Sequence, residues 1–220
     1  MRGAHFVPGY KGLWRRLSSP VTDTLLAAPP FALAVSLGFA LLQAFWFFLP
    51  AYVANPAAVL WGGGRPIDGG RVLADGHRLF GDGKTWRGLF GGTLTGAAVG
   101  LLQWAIALAV EPDLAWGPVP RGLVPVLALP AGALLGDLLG SYVKRRMGRP
   151  RGARTPGLDW YDFCLGAFLL LVLVDYPFFL EHYVGGEAIF GLLFVIVITP
   201  VLHRGVNILG FRLGKKDVPW

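Results

Sequence analysis

Five stretches of the chain carry almost no charge, and each is about as long as a helix must be to cross the roughly 30 Å hydrocarbon core of a bilayer. The composition agrees, because 54% of the 220 residues are hydrophobic and only 15% are charged, which is more apolar surface than one soluble core needs. The sequence therefore predicts an all-α integral membrane protein with five transmembrane helices, over residues 31–54, 89–110, 121–142, 163–180 and 188–209.

The polar segments are too short to fold alone, so we expect a single membrane domain. Its first part, residues 1–30, mixes leucines and Trp14 with basic side chains such as Arg15. This pattern predicts an amphipathic helix that lies in the membrane interface and is interrupted at Pro20. A tail without regular structure is the alternative.

Basic residues concentrate in two polar loops, residues 55–88 and 143–161, and in the C-terminal tail. The connections on the opposite side contain acids, with Arg121 at one edge. Lys and Arg remain on the cytoplasmic side of inserted helices. We therefore predict that both loops face the cytoplasm, which with five spans places the N-terminus outside. A re-entrant first span would instead leave the N-terminus in the cytoplasm.

Glycines recur every fourth residue in the second and third predicted spans. Small residues at this spacing let two helix backbones approach closely, which favours tight packing inside a membrane. The same spacing would serve a contact between two copies of the chain, so a homodimer is left open. The glycines are Gly88, Gly92, Gly96 and Gly100 in the second span, and Gly132, Gly136 and Gly140 in the third.

A polar stripe interrupts the third predicted span. On an ideal helix, Asp137, Ser141 and Lys144 fall within an arc of about 60°. A carboxylate inside a span is costly unless it faces water, a partner or a metal, so Asp137 is a candidate functional residue. The alternative is that Asp137 pairs with Lys144 or Arg145 and only fastens the bundle.

Asp159 and Asp162 stand three residues apart where the fourth predicted span begins. If the helix has started by then, both carboxylates lie on one face and repel each other unless a cation joins them. An oxygen-lined site of this kind suits Mg²⁺. Capping of the helix N-terminus by Asp159 is the simpler alternative.

The first polar loop ends in the glycine-rich run 81–88, with Lys84 and Arg87 inside it and Arg78 just before it. Glycine lets backbone amides approach phosphate oxygens, and basic side chains at a helix N-terminus add favourable charge. These residues favour a nucleotide or an anionic headgroup over a nucleic-acid strand, because the loop lacks an aromatic repeat. A role in holding the loop cytoplasmic is the alternative.

Several short motifs follow one another along the chain: Pro66 to Gly70, Arg78 to Gly81, Lys84 to Gly88, Gly136-Asp137 with Ser141, Lys144 to Gly148, and Pro156 with Asp159 and Asp162-Phe163. In their order and spacing they resemble the archaeal CDP-archaeol synthase family. The resemblance runs from about Asn55 to the C-terminus. The second motif also resembles, more loosely, the signature of CDP-diacylglycerol synthases, but Leu158-Asp159 stands after Pro156-Gly157 where those enzymes have histidine-glycine-glycine.

This resemblance implies a membrane cytidylyltransferase that joins CTP to an isoprenoid ether-lipid phosphate and releases pyrophosphate. The acids Asp137, Asp159 and Asp162 would hold Mg²⁺, with Ser141 and Lys144 in the same catalytic group. A set of loop and helix residues would bind CTP and its phosphates: Asn55, Asp68, Arg78, Lys84, Thr85, Arg87, Gly88, Lys144 and Arg145.

Three other functions stay open at this stage. A CDP-diacylglycerol synthase would act on phosphatidic acid instead of the ether lipid. A lipid or nucleotide transporter would also need basic cytoplasmic loops, although transporters of this kind usually show paired repeats, which the sequence lacks. A scaffold without catalysis would explain the glycine spacing but not the acids.

Overall fold

The computed structural model describes residues 30–150, 153–215 and 219, so the predicted interfacial helix lies outside the described residues. The described part of the chain is helical apart from its connections. Its longer helices are α1 (Pro30–Trp61), α2 (Trp86–Val110), α3 (Leu123–Arg146), α4 (Leu158–Val174) and α6 (Ala188–Arg212). A short helix α5 (Tyr176–Phe179) and a π-helical turn (Leu180–Val184) join α4 to α6.

The close helix packing predicted from the glycine spacing is confirmed where α1 meets α2. A Cβ atom on Gly92 would lie 2.7 Å from the carbonyl oxygen of Ala54, and one on Gly96 would lie 2.6 Å from that of Pro50. Only a residue without a side chain fits at such an approach. The two helices therefore pack backbone to backbone.

Pro50 adds a polar contact to the same helix pair. Proline has no N–H, so it cannot bond the carbonyl oxygen of Trp46 one turn earlier. The side chain of Gln103 on α2 donates to that oxygen at 2.7 Å. A carbonyl group freed inside an apolar bundle thus finds a partner on the neighbouring helix.

Helices α3 and α4 are joined in the same way. A Cβ atom on Gly132 would lie 2.6 Å from the carbonyl oxygen of Gly166, and one on Gly136 would overlap the carbonyl oxygen of Asp162. This second glycine row therefore brings the start of α4 against the end of α3. The polar residues of both helices meet there.

The described residues include four helices that are long and apolar enough to cross a membrane: residues Leu33–Trp61, α2, α3 and α6. Many of their large apolar side chains point outward, and Leu94 and Val197 are 65% and 70% exposed. Such a surface suits lipid rather than water. The protein is a multi-pass membrane protein.

The fourth predicted span, residues 163–180, covers α4 from residue 163, the break at Asp175 and all of α5. Helix α4 has 17 residues. It ends at Val174, and the Asp175 carboxylate then accepts the backbone N–H of Phe178 at 3.2 Å and begins α5.

The helices extend beyond the predicted spans at both polar loops. Helix α1 continues to Trp61, so Asn55 is helical instead of being the first loop residue. Helix α3 runs to Arg146 and α4 begins at Leu158, so the second loop is shorter than 143–161. Apolar length sets where a helix enters lipid, but helices can extend beyond the bilayer into water.

Candidate active site

Three acids and two lysines meet where α3, α4 and the first loop converge. The ammonium group of Lys84, from the loop, is hydrogen-bonded to Asp137 Oδ2 on α3. Lys144 Nζ, two turns further along α3, lies 2.9 Å from Asp159 Oδ1 and 3.7 Å from Asp162 Oδ2 on α4. The hydrogen-bond partner of Asp137 is thus a loop lysine, which the sequence did not indicate. A metal site shared by Asp137, Asp159 and Asp162 stays a prediction.

The two acids of α4 are held differently. Asp159 lies in the first turn of α4, where its Oδ2 accepts the backbone N–H of Thr155 at 2.6 Å. It also pairs with Lys144. The N-cap residue of α4 is Gly157, so the alternative that Asp159 caps the helix is wrong, and Mg²⁺ binding by Asp159 stays a prediction. Asp162 is buried against Gly140 on α3, where a Cβ atom would lie 2.7 Å from the Cβ of Asp162.

Asp68 organises the first loop instead of reaching the cluster of acids. Its side chain is fully buried, and its oxygens accept Arg78 Nη2 at 2.6 Å and Arg78 Nε at 3.2 Å. They also accept three backbone N–H groups, those of Gly70 at 3.1 Å, Phe80 at 3.1 Å and Gly81 at 2.9 Å. Burial alone would raise the pKa of Asp68, but these donors outweigh it and hold the pKa well below its usual range.

Arg146 fastens this loop to the end of α3. Its guanidinium group is hydrogen-bonded to Asp75 and donates to the backbone carbonyl oxygens of Arg78 at 2.7 Å and His77 at 3.3 Å. The pKa of Asp75 is lowered, first by the backbone N–H of His77 and then by Arg146. The loop that carries Lys84 is thus tied to the helix that carries Asp137.

The remaining predicted residues have other contacts. Thr85 caps α2, with its hydroxyl oxygen accepting the backbone N–H of Gly88 at 3.1 Å. Arg87 is exposed and lines a mostly apolar groove with Trp61. Arg145 donates to the carbonyl oxygen of Pro150 at 3.3 Å.

Ser141 lies on the same helix as Asp137 and is buried. Asn55 is in the interior of α1. The roles predicted for both residues stay predictions that rest on the family resemblance.

The chemistry of the cluster suits a divalent cation, although no three His, Cys, Asp or Glu side chains in the described ranges lie in a metal-holding group. Asp159 and Asp162 already share one cation, the ammonium group of Lys144. Mg²⁺ commonly takes only one or two carboxylates and completes its shell with water and substrate phosphates. The residues present therefore fit the predicted ion when a nucleotide supplies the other ligands.

Two contacts were not predicted from the sequence. One is the hydrogen bond between Arg146 and Asp75 that joins the first loop to α3, and the other is the contact between Gly140 and Asp162. Arg146 belongs to a basic run that was recognised, but its partner is 71 residues away, and no periodic pattern links the two. The four-residue glycine spacing did indicate a close contact at Gly140. It could not indicate that the contacting group is a carboxylate.

The fold and this cluster define a multi-pass membrane protein with a centre of paired acids and bases at one end of a helix bundle. The family model described as CarS-like CDP-archaeol synthase matches residues 37–220. The chain belongs to the CDP-archaeol synthase family.

Individual relatives agree with this assignment. The CDP-archaeol synthase of Methanosphaerula palustris is 49% identical over 173 residues, covering 78% of this chain and 99% of the relative. That of Thermococcus onnurineus is 46% identical over 180 residues, covering 82% and 97%. A solved structure described as an intramembrane enzyme for archaeal membrane lipids biosynthesis is 41% identical, with a TM-score of 0.53, covering 71% of this chain and 93% of that one.

Proposed function

We propose that this protein is a CTP-dependent cytidylyltransferase that converts the geranylgeranyl diether of glycerol phosphate into CDP-archaeol and pyrophosphate. The observation that carries the proposal is the meeting of Asp137, Asp159 and Asp162 with Lys84 and Lys144 at one end of the bundle, in a chain of this family. A lipid phosphate and a nucleotide can both reach such a place, because it lies where apolar helices give way to polar loops.

The reaction needs positioning and charge neutralisation more than proton transfer. An oxygen of the lipid phosphate attacks the α-phosphorus of CTP, and the bond from that phosphorus to the oxygen bridging the β-phosphate breaks. Pyrophosphate leaves with the electron pair of that bond. No general base is required, because the attacking phosphate is already ionised.

Lys84 and Lys144 have two tasks in this proposal. Without substrate they neutralise the carboxylates, as their contacts with Asp137, Asp159 and Asp162 show. With CTP bound, their ammonium groups donate charge-assisted hydrogen bonds to phosphate oxygens. Each lysine is only partly buried, and the side chain can turn without moving its helix or loop.

Asp159 and Asp162, with Asp137 close by, would hold Mg²⁺. When bound, that ion supplies neutralisation of the charge that develops on the phosphate oxygens. Arg78 stands behind the loop and keeps it folded through Asp68, so its effect on phosphate binding is indirect. Arg87 lines a mostly apolar groove, which we place beside lipid. A lipid phosphate would therefore suit Arg87 better than CTP.

We place the cluster on the cytoplasmic side, with α4 as a fifth span. The loops at this end carry most of the basic residues, in agreement with the positive-inside rule. CTP is present only in the cytoplasm, so the reaction requires this orientation. Helix α4 is short, but a thinner local bilayer or the continuation through α5 would let it cross.

The test is an assay of purified protein in detergent with MgCl₂, CTP and a synthetic geranylgeranyl diether phosphate. We expect release of pyrophosphate and formation of a CDP-lipid in equal amounts, both seen by mass spectrometry. Phosphatidic acid, offered at the same concentration, measures the preference for the ether lipid. Absence of pyrophosphate with either lipid would contradict the enzyme and favour a carrier.

A further inference from the structure

A groove on the outer surface of the bundle begins beside the proposed active site. It has a volume of about 540 Å³ and lies between the end of α1 and the first half of α2, with Arg87 at one end and Ala98 at the other. Since Arg87 and Lys84 are three residues apart in the chain, their Cα atoms lie within about 11 Å of each other. A phosphate group at this end of the groove would therefore be close to the acids and lysines.

Trp61 forms a fixed wall of the groove. Its indole ring lies on Gly91, where an added Cβ atom would overlap the ring. The indole N–H donates to Thr95 Oγ1 at 3.0 Å, and that hydroxyl donates to the carbonyl oxygen of Gly91 at 2.7 Å. A tryptophan that anchors a protein at the membrane surface keeps its polar end toward water. The N–H of Trp61 points instead to Thr95, farther into the apolar part of α2, while the residue stays 51% exposed.

Arg87 brings a positive charge to the groove. Among the residues that the structure describes, no acid forms an ion pair with Arg87, whereas Lys84 and Lys144 are both paired. The stem of Arg87 packs against the first loop, where a Cβ atom on Gly64 would lie 3.1 Å from its Cδ. The groove thus joins an uncompensated guanidinium group to an apolar surface, and a phosphate attached to a hydrocarbon chain complements both.

The length of the groove matches one leaflet of a bilayer. Arg87 and Ala98 are 11 residues apart on one helix, which is a rise of about 16 Å at 1.5 Å per residue. The hydrocarbon core of a bilayer is about 30 Å thick, so one leaflet contributes about 15 Å. The groove therefore extends from the polar surface to about the middle of the membrane.

We propose that this groove binds one hydrocarbon chain of the isoprenoid ether-lipid phosphate, with Arg87 holding the phosphate on the side of the acids. The identity of the lipid rests on the proposed function. Trp61 fixes the path of the chain beside α2, and Ala98 leaves room for it at the deeper end. The lipid enters sideways from the bilayer, so its phosphate meets CTP while its chains stay in the membrane.

The experiment is photolabelling of the full-length protein in lipid nanodiscs without CTP. The probe is a diether of glycerol phosphate with a photoreactive diazirine in the outer half of one isoprenoid chain, and mass spectrometry locates the labelled residues. A matched neutral probe has the same chains but no phosphate. Labelling requires no reaction with CTP, so it measures lipid binding separately from catalysis.

Two pairs of variants locate the chain and the phosphate. Ala98→Leu fills the deeper end of the groove, whereas Ala105→Leu adds the same side chain at an exposed position of α2 outside it. Arg87→Gln removes the charge at the groove, whereas Arg71→Gln removes an exposed charge elsewhere in the first loop. We expect Ala98→Leu and Arg87→Gln each to lower labelling of residues 91–98 by the phosphate probe about tenfold, with parent-level labelling in the two controls.

Equal labelling of this segment by the neutral probe would show that the groove accepts any lipid and would overturn the proposal. Parent-level labelling in both Ala98→Leu and Arg87→Gln would also overturn it. A parent protein that releases pyrophosphate but is not labelled in the groove would reject the groove and keep the proposed function. A labelled groove without pyrophosphate release would support the groove and contradict the enzyme.

Discussion

Gly140 lies directly against Asp162, with room for no more than a hydrogen atom between α3 and the carboxylate-bearing side chain of α4. A Cβ atom on Gly140 would come within 2.7 Å of the Asp162 Cβ and 2.8 Å of its Cγ. The neighbouring helix therefore determines where this carboxylate points. Helix packing and the proposed chemistry thus depend on the same residue.

Gly140→Ala should displace the Asp162 carboxylate and lower the cytidylyltransferase rate by about 100-fold, as expected when a reacting group moves by about 1 Å. The matched control is Gly205→Ala on α6, where an added Cβ atom meets nothing within 4 Å. That variant should keep the parent rate and unfolding temperature. Equal rates for the two variants would show that the contact does not position Asp162.

Lys144→Gln should leave Asp159 and Asp162 without their shared cation. We expect the free energy of unfolding in the absence of nucleotide to fall by about 1–3 kcal/mol, because a partly buried charge pair loses one member. We also expect the rate of CDP-lipid formation to fall by about 100-fold. Chemical unfolding and the pyrophosphate assay measure the two effects separately, and a full rate in Lys144→Gln would contradict its proposed contact with phosphate.

Arg146→Lys should loosen the first loop while keeping its charge. Lysine cannot form the forked contacts that Arg146 makes with Asp75 and with the carbonyl oxygens of His77 and Arg78. Hydrogen exchange in residues 62–85 should become faster, and the KM for CTP should rise by about tenfold with a smaller change in kcat. Unchanged hydrogen exchange in this variant would show that Arg146 does not hold the first loop against α3.

The stability of the first loop should depend on pH because of Asp68. Its pKa is lowered in the folded state, so its contribution to stability is fully present above its unfolded pKa of about 4 and is lost as the pH falls through the folded value. Hydrogen exchange in residues 62–85, corrected for the intrinsic rate at each pH, should therefore rise on acidification below about pH 4.

Asp68→Asn supplies the comparison, because it should exchange quickly at every pH and lose this acid dependence. Asp82→Asn removes an exposed acid that pairs with the same Arg78, and its acid response should resemble that of the parent. A parent-like acid response in Asp68→Asn would place the titrating group elsewhere.

The helices could be predicted from sequence because apolar length and glycine spacing are local properties. Both glycine rows pack as expected, and Asp159 and Asp162 share one helix face because α4 begins at Leu158. The pairing of Lys84 with Asp137 could not be predicted, since it joins residues 53 apart in the chain. It depends on how the loop folds around Asp68, and that fold depends on backbone N–H groups that no side-chain pattern reveals.

The roles of Thr85 and Arg87 were hard to separate for a related reason. Both stand in one motif, but Thr85 is buried and caps α2, whereas Arg87 is exposed and lines a groove with Trp61 and Leu94. The direction depends on the exact residue at which the helix begins. The motif alone does not show where the helix begins, so it does not show which of its residues are available to bind phosphate.

The central claim is that the converging carboxylates support Mg²⁺-dependent transfer of CMP to a lipid phosphate. Its most direct test is the rate of CDP-lipid formation by the parent protein and by Asp162→Asn across a MgCl₂ titration, with folding checked by thermal unfolding. The account predicts a Mg²⁺-dependent rate in the parent and a loss of at least about 100-fold in the folded variant. A folded Asp162→Asn protein with the parent rate and the parent Mg²⁺ dependence would contradict it.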